Sequence, residues 1–217
     1  MFQKKYTHLL SWFYPGLYLK TIMRITGGQS RGITLRLPKG DLVRPATDAM
    51  RQAVFSSIAS RVEGAWFLDL FAGSGAYGLE AVSRGAAGGT WVEKNAKAAA
   101  CIRLNIEAVC KSQARGLQDL TVLNLDATTV TGTGMVGVPD LVFIDPPYAM
   151  IESVAAGLFD RLTELLASKP DPVIIFEMPG ELSLNPAGWK CVKRLGKGAH
   201  QPTVCFFKVD RAPPAPT

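Results

Sequence analysis

After Gly64 the sequence alternates short, almost wholly apolar runs with stretches that carry apolar residues at helical spacing. WFLDLF gives way to GAYGLEAVSRG and GTWVE to NAKAAACIRLNIEAVCK; LTVLN, DLVFID, a helical stretch over 151–168 and PVIIFEM follow in turn. Runs that are apolar on both faces suit strands covered by helices on either side, and the alternation is that of βαβ units in a parallel sheet. The last stretch departs from this rhythm, because WKCVKRL and TVCFFKV flank the Gly/Pro-containing loop GKGAHQP. It predicts an antiparallel hairpin closing the sheet edge. An α/β, Rossmann-like domain is therefore expected over 64–210, followed by a Pro/Ala-rich tail, 211–217, expected to be disordered.

Upstream, MRITGG and GITLRLP alternate apolar and polar residues around a Gly-rich turn, which predicts a short hairpin with arginines on its exposed face. From Thr47 the spacing turns helical, with Met50, Val54, Phe55, Ile58 and Val62 on one stripe and Thr47 or Asp48 as N-cap. Residues 23–63 thus read as a hairpin plus helix. Residues 1–22 contain an aromatic, apolar run, LLSWFYPGLYL, that is interrupted by Pro15 and Gly16, lacks a small-residue cleavage site and is too short to span a bilayer. They are expected to be an extension ahead of the fold.

With 217 residues, 47% of them apolar, the chain can bury one sizeable core, and a second full domain does not fit. The net charge of +6 is compatible with a polyanionic partner without requiring one. The local balance says more: from Met23 to Arg51 six basic residues face two acids, Asp41 and Asp48. Arg31, Arg36, Arg44 and Arg51 are accordingly candidate phosphate contacts. Cys101, Cys110, Cys191 and Cys205 follow no CxxC or Cys/His metal spacing, so a reduced, cytoplasmic protein without a metal is expected.

The strand Phe67 to Phe71 runs directly into AGSGAYG, placing a G-x-G-x-x-G match where a strand meets a helix and the backbone can approach a ligand closely. Phe71, Gly73, Ser74 and Gly75 are the candidate contacts there. Glu93 ends the second strand, eighteen residues past Gly75, where a carboxylate can accept from both hydroxyls of a ribose. These features alone fit a dinucleotide-binding dehydrogenase almost as well. Asp69 tilts the balance: a negative charge before the glycine loop repels a pyrophosphate but attracts the amino group and sulfonium of S-adenosylmethionine. Asp126, after the third strand, is placed to accept from an adenine amino group, although an acid at a strand end is also a common solvated loop residue.

The strongest signal is Asp145-Pro146-Pro147-Tyr148 at the carboxyl end of the fourth strand, where ligands of open α/β sheets bind. Two prolines hold the backbone rigid. The Asp145 carboxylate and the Pro146 carbonyl can then face the two hydrogens of one planar NH2 group, while Tyr148 offers a ring for base stacking.

Over Met23 to Val209 the chain resembles the RsmD-type 16S ribosomal RNA guanine-N2 methyltransferases, through MRITGGQSRGITL, RPATDAMRQAVFSSI, LDLFAGSGAYGLEAVSRGA, VEKNAKA and DLVFIDPPYA in that order. The glycine loop and DPPY are shared widely among amino-methylating enzymes, whereas the two N-terminal blocks are particular to this family. The resemblance implies a class I methyltransferase fold with a seven-stranded sheet whose last strand is antiparallel, and an N-terminal hairpin and helix that recognise RNA. It implies S-adenosylmethionine as methyl donor, with Asp69, Gly73, Gly75, Glu93 and Asp126 as its contacts and Asp145 to Tyr148 as the catalytic loop. Ribosomal RNA, in a small-subunit particle, is the implied partner; no membrane attachment is expected, and a monomer is favoured with the oligomeric state left open. Arg44, Thr47, Asp48 and Arg51 match the family's N-terminal motif. Tyr77, Ala46 and Gln52 depart from the family pattern, all expected to lie outside the chemistry, and His200 sits in a C-terminal block that matches less closely. Two other functions share these motifs: DNA adenine-N6 methylation, which commonly brings a larger target-recognition region, and a catalytically silent nucleic-acid-binding protein of the same fold.

Overall fold

The computed structural model describes residues 23–38, 47–196, 198 and 201–211. The expectations for residues 1–22, Arg44, Ala46, His200 and the proline-rich tail beyond Arg211 lie outside these residues. Helix α1 (Thr47–Ser57) precedes strand β1 (Trp66–Leu70), α2 (Ala76–Ser83), β2 (Gly88–Val92), α3 (Ala96–Ser112) and β3 (Leu120–Leu123). Then come β4 (Leu141–Ile144), α4 (Ile151–Leu165), β5 (Val173–Pro179), β6 (Trp189–Leu195) and β7 (Pro202–Val209).

The seven strands form one sheet in the order β3-β2-β1-β4-β5-β7-β6. The first five run parallel, and β7 is antiparallel to both its neighbours. The expected terminal hairpin is present, with its second strand inserted between β5 and the edge strand β6. Because successive side chains alternate across a strand, the apolar runs feed two cores. Phe67, Trp91, Phe143 and Ile175 join α2, α3 and the N-terminal segment in one core. Leu68, Val142, Ile144 and Phe176 join α4 in the other.

The N-terminal hairpin is short. Its pairing consists of a single bridge, Arg24 with Thr34, flanked by Ile25 N donating to Ile33 O and Leu35 N to Met23 O, both at 2.9 Å. It is nonetheless bound tightly to the domain. Gly28 adopts φ +77° with its backbone so close to the end of α2 that an added Cβ would fall 2.0 Å from the Ser83 carbonyl oxygen. Met23, Ile25 and Leu35 are buried in the same core as Phe55 and Phe67. Helix α1 stops at Ser57 and gives way to a 3-10 turn over Ala59–Arg61, so Val54, Phe55 and Ile58 are buried from the helix and its end, and Val62 from beyond the turn. Thr47 and Asp48 lie within the first helical turn rather than before it as N-cap.

The third glycine of the loop, Gly78, has a packing reason. A Cβ there would stand 2.4 Å from Trp91 Nε1 and 2.6 Å from the Phe67 ring, both fully buried. Gly78→Ala must displace aromatic rings in a filled core, and overpacking of that kind costs about 1–3 kcal/mol. Urea denaturation should show the midpoint falling with no change in slope, and an unaltered midpoint would mean that α2 can shift freely away from β2.

Candidate active site

The carboxyl ends of the parallel strands set out a row of acids. Asp69 lies in β1, Glu93 follows β2, Asp145 follows β4 and Glu177 lies near the end of β5. Strand alternation puts all of them on the face that carries Phe67, Trp91, Phe143 and Ile175, the side on which the N-terminal hairpin packs. Beneath the hairpin lies a cavity of about 540 Å³ lined by Phe71, Ser74, Glu93, Asp126, Glu177 and the whole loop Asp145 to Tyr148. A smaller adjoining cavity of about 100 Å³ is lined by Asp69, Gly73 and Tyr77, and it shares Phe71, Ser74, Asp145 and Glu177 with the larger one.

The chain leaves β1 through Phe71, a non-glycine residue at φ +56°, and turns through Gly73 at φ +53° and Gly75 at φ +79°. A β-carbon on Gly73 would have nothing nearer than the Phe71 carbonyl oxygen at 4.0 Å, so its need for glycine is conformational. Gly75 lines neither cavity. It caps α2, and its carbonyl accepts from Trp91 Nε1 at 3.1 Å.

Glu93 fastens the loop, accepting from Gly73 N at 2.8 Å and from Asn95 N at 2.7 Å. A carboxylate has about four acceptor positions, so capacity remains for hydroxyl donors from the cavity. Asp126 caps the short turn Ala127–Thr129 and accepts from Thr128 N at 3.0 Å, Thr128 Oγ1 at 2.8 Å and Lys94 Nζ at 2.8 Å. The Lys94 hydrogen bond, followed by the two from Thr128, pulls its pKa down to about 2.

Asp69 is the opposite case. It is 2% exposed and accepts from Gly78 N at 2.9 Å, tying the glycine loop to β1. Burial pushes its pKa well above the ordinary carboxylate range; the Gly78 hydrogen bond opposes this, and the charges of Asp145 and Glu93 add to the rise. A cationic group in the adjoining cavity would reverse that imbalance.

Asp145 is exposed to the cavity, Pro146 is buried and Pro147 is exposed with an extended ψ of 128°. Tyr148 opens a 3-10 turn that leads straight into α4, and its half-buried ring is packed on the core that α4 covers. Both prolines and the turn hold this loop rigid at the sheet edge.

Arg31 and Arg36 are exposed on the hairpin, as is Arg24. Arg51 corrects the expectation that it meets phosphate. It is 2% exposed, pairs with Asp48 at 2.8 Å and Glu80 at 3.4 Å, and donates to the Arg24 carbonyl at 2.6 Å. Its charge is used inside the protein.

Glu177 and Tyr77 were not among the expected site residues. Tyr77 donates its hydroxyl to Glu177 Oε2 at 3.2 Å and stacks on Phe143 with centroids 5.3 Å apart. Burial, then the charges of Glu177 and Asp145, hold its phenol protonated well above the usual range. The departure at this position therefore reaches the site. A sequence signal for Glu177 existed: it is an acid at the end of an apolar run, as are Asp69, Glu93 and Asp145. Met23, whose Sδ accepts from Ser74 Oγ at 3.2 Å, and Asn105, which bridges Arg36 and the Ser74 carbonyl, carried no such signal.

Among the described residues no cluster of three His, Cys, Asp or Glu could hold a metal ion, and no helix is long and apolar enough to cross a membrane. The four cysteines are free.

A family model described as "Conserved hypothetical protein 95" matches residues 23–207. The ribosomal RNA small subunit methyltransferase D of Escherichia coli K12 is 34% identical over 174 residues, 77% of this chain and 81% of that protein. An Escherichia coli structure provisionally described as methyltransferase yhhF superposes with a TM-score of 0.65 at 30% identity, over 88% of this chain and 99% of that one. At 14% identity the fold extends to SMU.776, provisionally a methyltransferase and solved in complex with SAH, with a TM-score of 0.57 over 77% of this chain and 50% of that one. With its seven-stranded sheet, its glycine loop and its Asp-Pro-Pro-Tyr edge, the chain belongs to the conserved hypothetical protein 95 family, the RsmD-type methyltransferases.

Proposed function

We propose that this protein transfers a methyl group from S-adenosylmethionine to the exocyclic N2 amine of a guanine in small-subunit ribosomal RNA. The observation that carries the reading is the single cavity wall shared by Glu93, Asp126 and the loop Asp145 to Tyr148. The acids fit the donor: Glu93 for ribose hydroxyls, Asp126 for the adenine amino group, and Asp69 for the cationic end. When bound, S-adenosylmethionine supplies an electrophilic methyl group on a sulfonium.

The chain's own residues do the rest. Asp145 and the Pro146 carbonyl accept the two N–H bonds of the target amine, which turns its lone pair toward the donor side of the cavity and raises its electron density. Tyr148 stacks on the base once it has been flipped out of the RNA. Arg31 and Arg36, exposed on the hairpin, meet the phosphate backbone, and the 64–210 domain performs transfer.

Labelled methyl transfer to ribosomal particles and to duplex DNA tests the choice of substrate. Incorporation into small-subunit RNA is expected. Preferential labelling of DNA would contradict the reading and favour adenine methylation, and tight donor binding without transfer to either would favour a silent binding protein.

The raised pKa of Asp69 gives a pH signature. In the ligand-free protein the folded state holds this proton more tightly than the unfolded chain, so ionising Asp69 costs stability as pH rises through its folded pKa. A cationic ligand favours the ionised form. Donor affinity should therefore strengthen as pH rises from the ordinary carboxylate range, about 4, through the Asp69 titration, and should release a proton on binding. Calorimetry in buffers of different ionisation enthalpy reads both effects. The same slope in Asp69→Asn would remove Asp69 from the donor site.

A further inference from the structure

Resting on the guanine-N2 reading, we infer that Glu177 is the specificity-determining residue that accepts the N1–H of the target guanine, and that Tyr77 positions its carboxylate for the task. The placement comes from the sheet. Strands β4 and β5 are paired in parallel up to Ile144 with Phe176, and the next residue on each strand is Asp145 and Glu177. Neighbouring strands stand about 4.8 Å apart, a spacing at which acceptors on the two strand ends reach neighbouring donors on one edge of a heterocycle. Both residues line the same two cavities.

Among the common bases, guanine presents an N–H beside an exocyclic amine on one edge, and this donor pair suits two adjacent carboxylates. Adenine offers an unprotonated N1 beside its amine and would set a lone pair against Glu177. Asp145 holds the reacting amine; Glu177 reads the atom beside it.

Tyr77 fixes the orientation. Its hydroxyl bonds Glu177 Oε2 at 3.2 Å, and its ring is held between Phe55 and Phe143, with centroid distances of 6.4 and 5.3 Å. A protonated phenol is only able to donate to this carboxylate, so Glu177 remains an acceptor toward the base. Tyr77 itself is a positioning residue.

The test uses the full-length protein and a target RNA with guanine or 2-aminopurine at the methylated position. Both carry the 2-amine, but 2-aminopurine has an unprotonated N1. Wild type should prefer guanine by at least about 100-fold in kcat/KM, because a site built to bond an N–H rejects an analogue lacking it. In Glu177→Gln the amide can donate to the unprotonated N1, and the preference should fall to within a few-fold of unity. Tyr77→Phe, which keeps the ring stack, should lower the preference partially; because Tyr77 also lines the smaller cavity, the ratio is read at saturating donor.

Equal losses on both substrates, with the 100-fold ratio intact in both variants, would overturn the assignment and leave Glu177 a structural acid. Wild-type label found on an adenine amine would overturn the guanine reading itself and the inference with it. That outcome is told apart by the identity of the labelled nucleoside, not by the ratio.

Discussion

Asp145→Ala is expected to reduce methyl transfer by about 10³-fold or more in kcat while leaving donor affinity nearly unchanged. The asymmetry follows from where Asp145 stands. Glu93, Gly73 and Asp126, the residues proposed to hold the donor, are fixed by hydrogen bonds that do not involve Asp145. Asp145 is an exposed strand-end residue lying beside Pro146 and Tyr148 on the acceptor side of the same cavity. Its loss removes one of the two acceptors that orient the amine, and with it charge that stabilises nitrogen as it becomes cationic. Truncation also relieves Asp69 of one neighbouring negative charge, so its raised pKa should fall slightly. Single-turnover rates and donor titration separate the effects. A large loss of donor affinity with little change in turnover would assign Asp145 to the donor rather than to the base.

Glu80→Ala should be the most damaging of the substitutions away from the chemistry. Glu80 is fully buried and serves three elements at once. It accepts from Thr26 N and Thr26 Oγ1 on the hairpin at 2.8 Å each, from Arg51 Nε on α1 at 3.4 Å, and from Arg84 Nε at 2.9 Å. Removing one partner of such a network leaves buried Arg51 short of a counter-charge, a loss of about 3–5 kcal/mol. For a chain of this size that lowers the melting temperature by roughly 10 °C. The half-exposed partner of Arg51 is Asp48, with 32% of its side chain accessible, and its replacement by Asn should cost only about 1 kcal/mol. Calorimetric melting of both variants checks the pair. Equal, small effects would mean that the hairpin is held by its apolar residues alone.

The sheet was readable because its signal is local. Each parallel strand is a short, largely apolar run, and β1, β2 and β4 are each followed by an α-helix within a few residues. The proposed catalytic loop stands out for the same reason, since Asp145, Pro146, Pro147 and Tyr148 are consecutive and sit at the end of such a run. What the sequence hid depends on contacts between distant residues. Arg51 looked like a surface cation because its partner Glu80 lies 29 residues away on another helix. Tyr77 and Glu177 are 100 residues apart, and the parallel register between β4 and β5 is what places Glu177 beside Asp145. The insertion of β7 between β5 and β6 is likewise a matter of long-range pairing, which a predicted hairpin at the sheet edge leaves open.

The identity of the methylated atom separates guanine-N2 from adenine-N6 transfer. Small-subunit particles from cells lacking this enzyme, incubated with the protein and methyl-labelled S-adenosylmethionine, should yield RNA whose label, after digestion to nucleosides, appears in N2-methylguanosine. Label in N6-methyladenosine, or in any nucleoside other than N2-methylguanosine, would contradict guanine-N2 transfer.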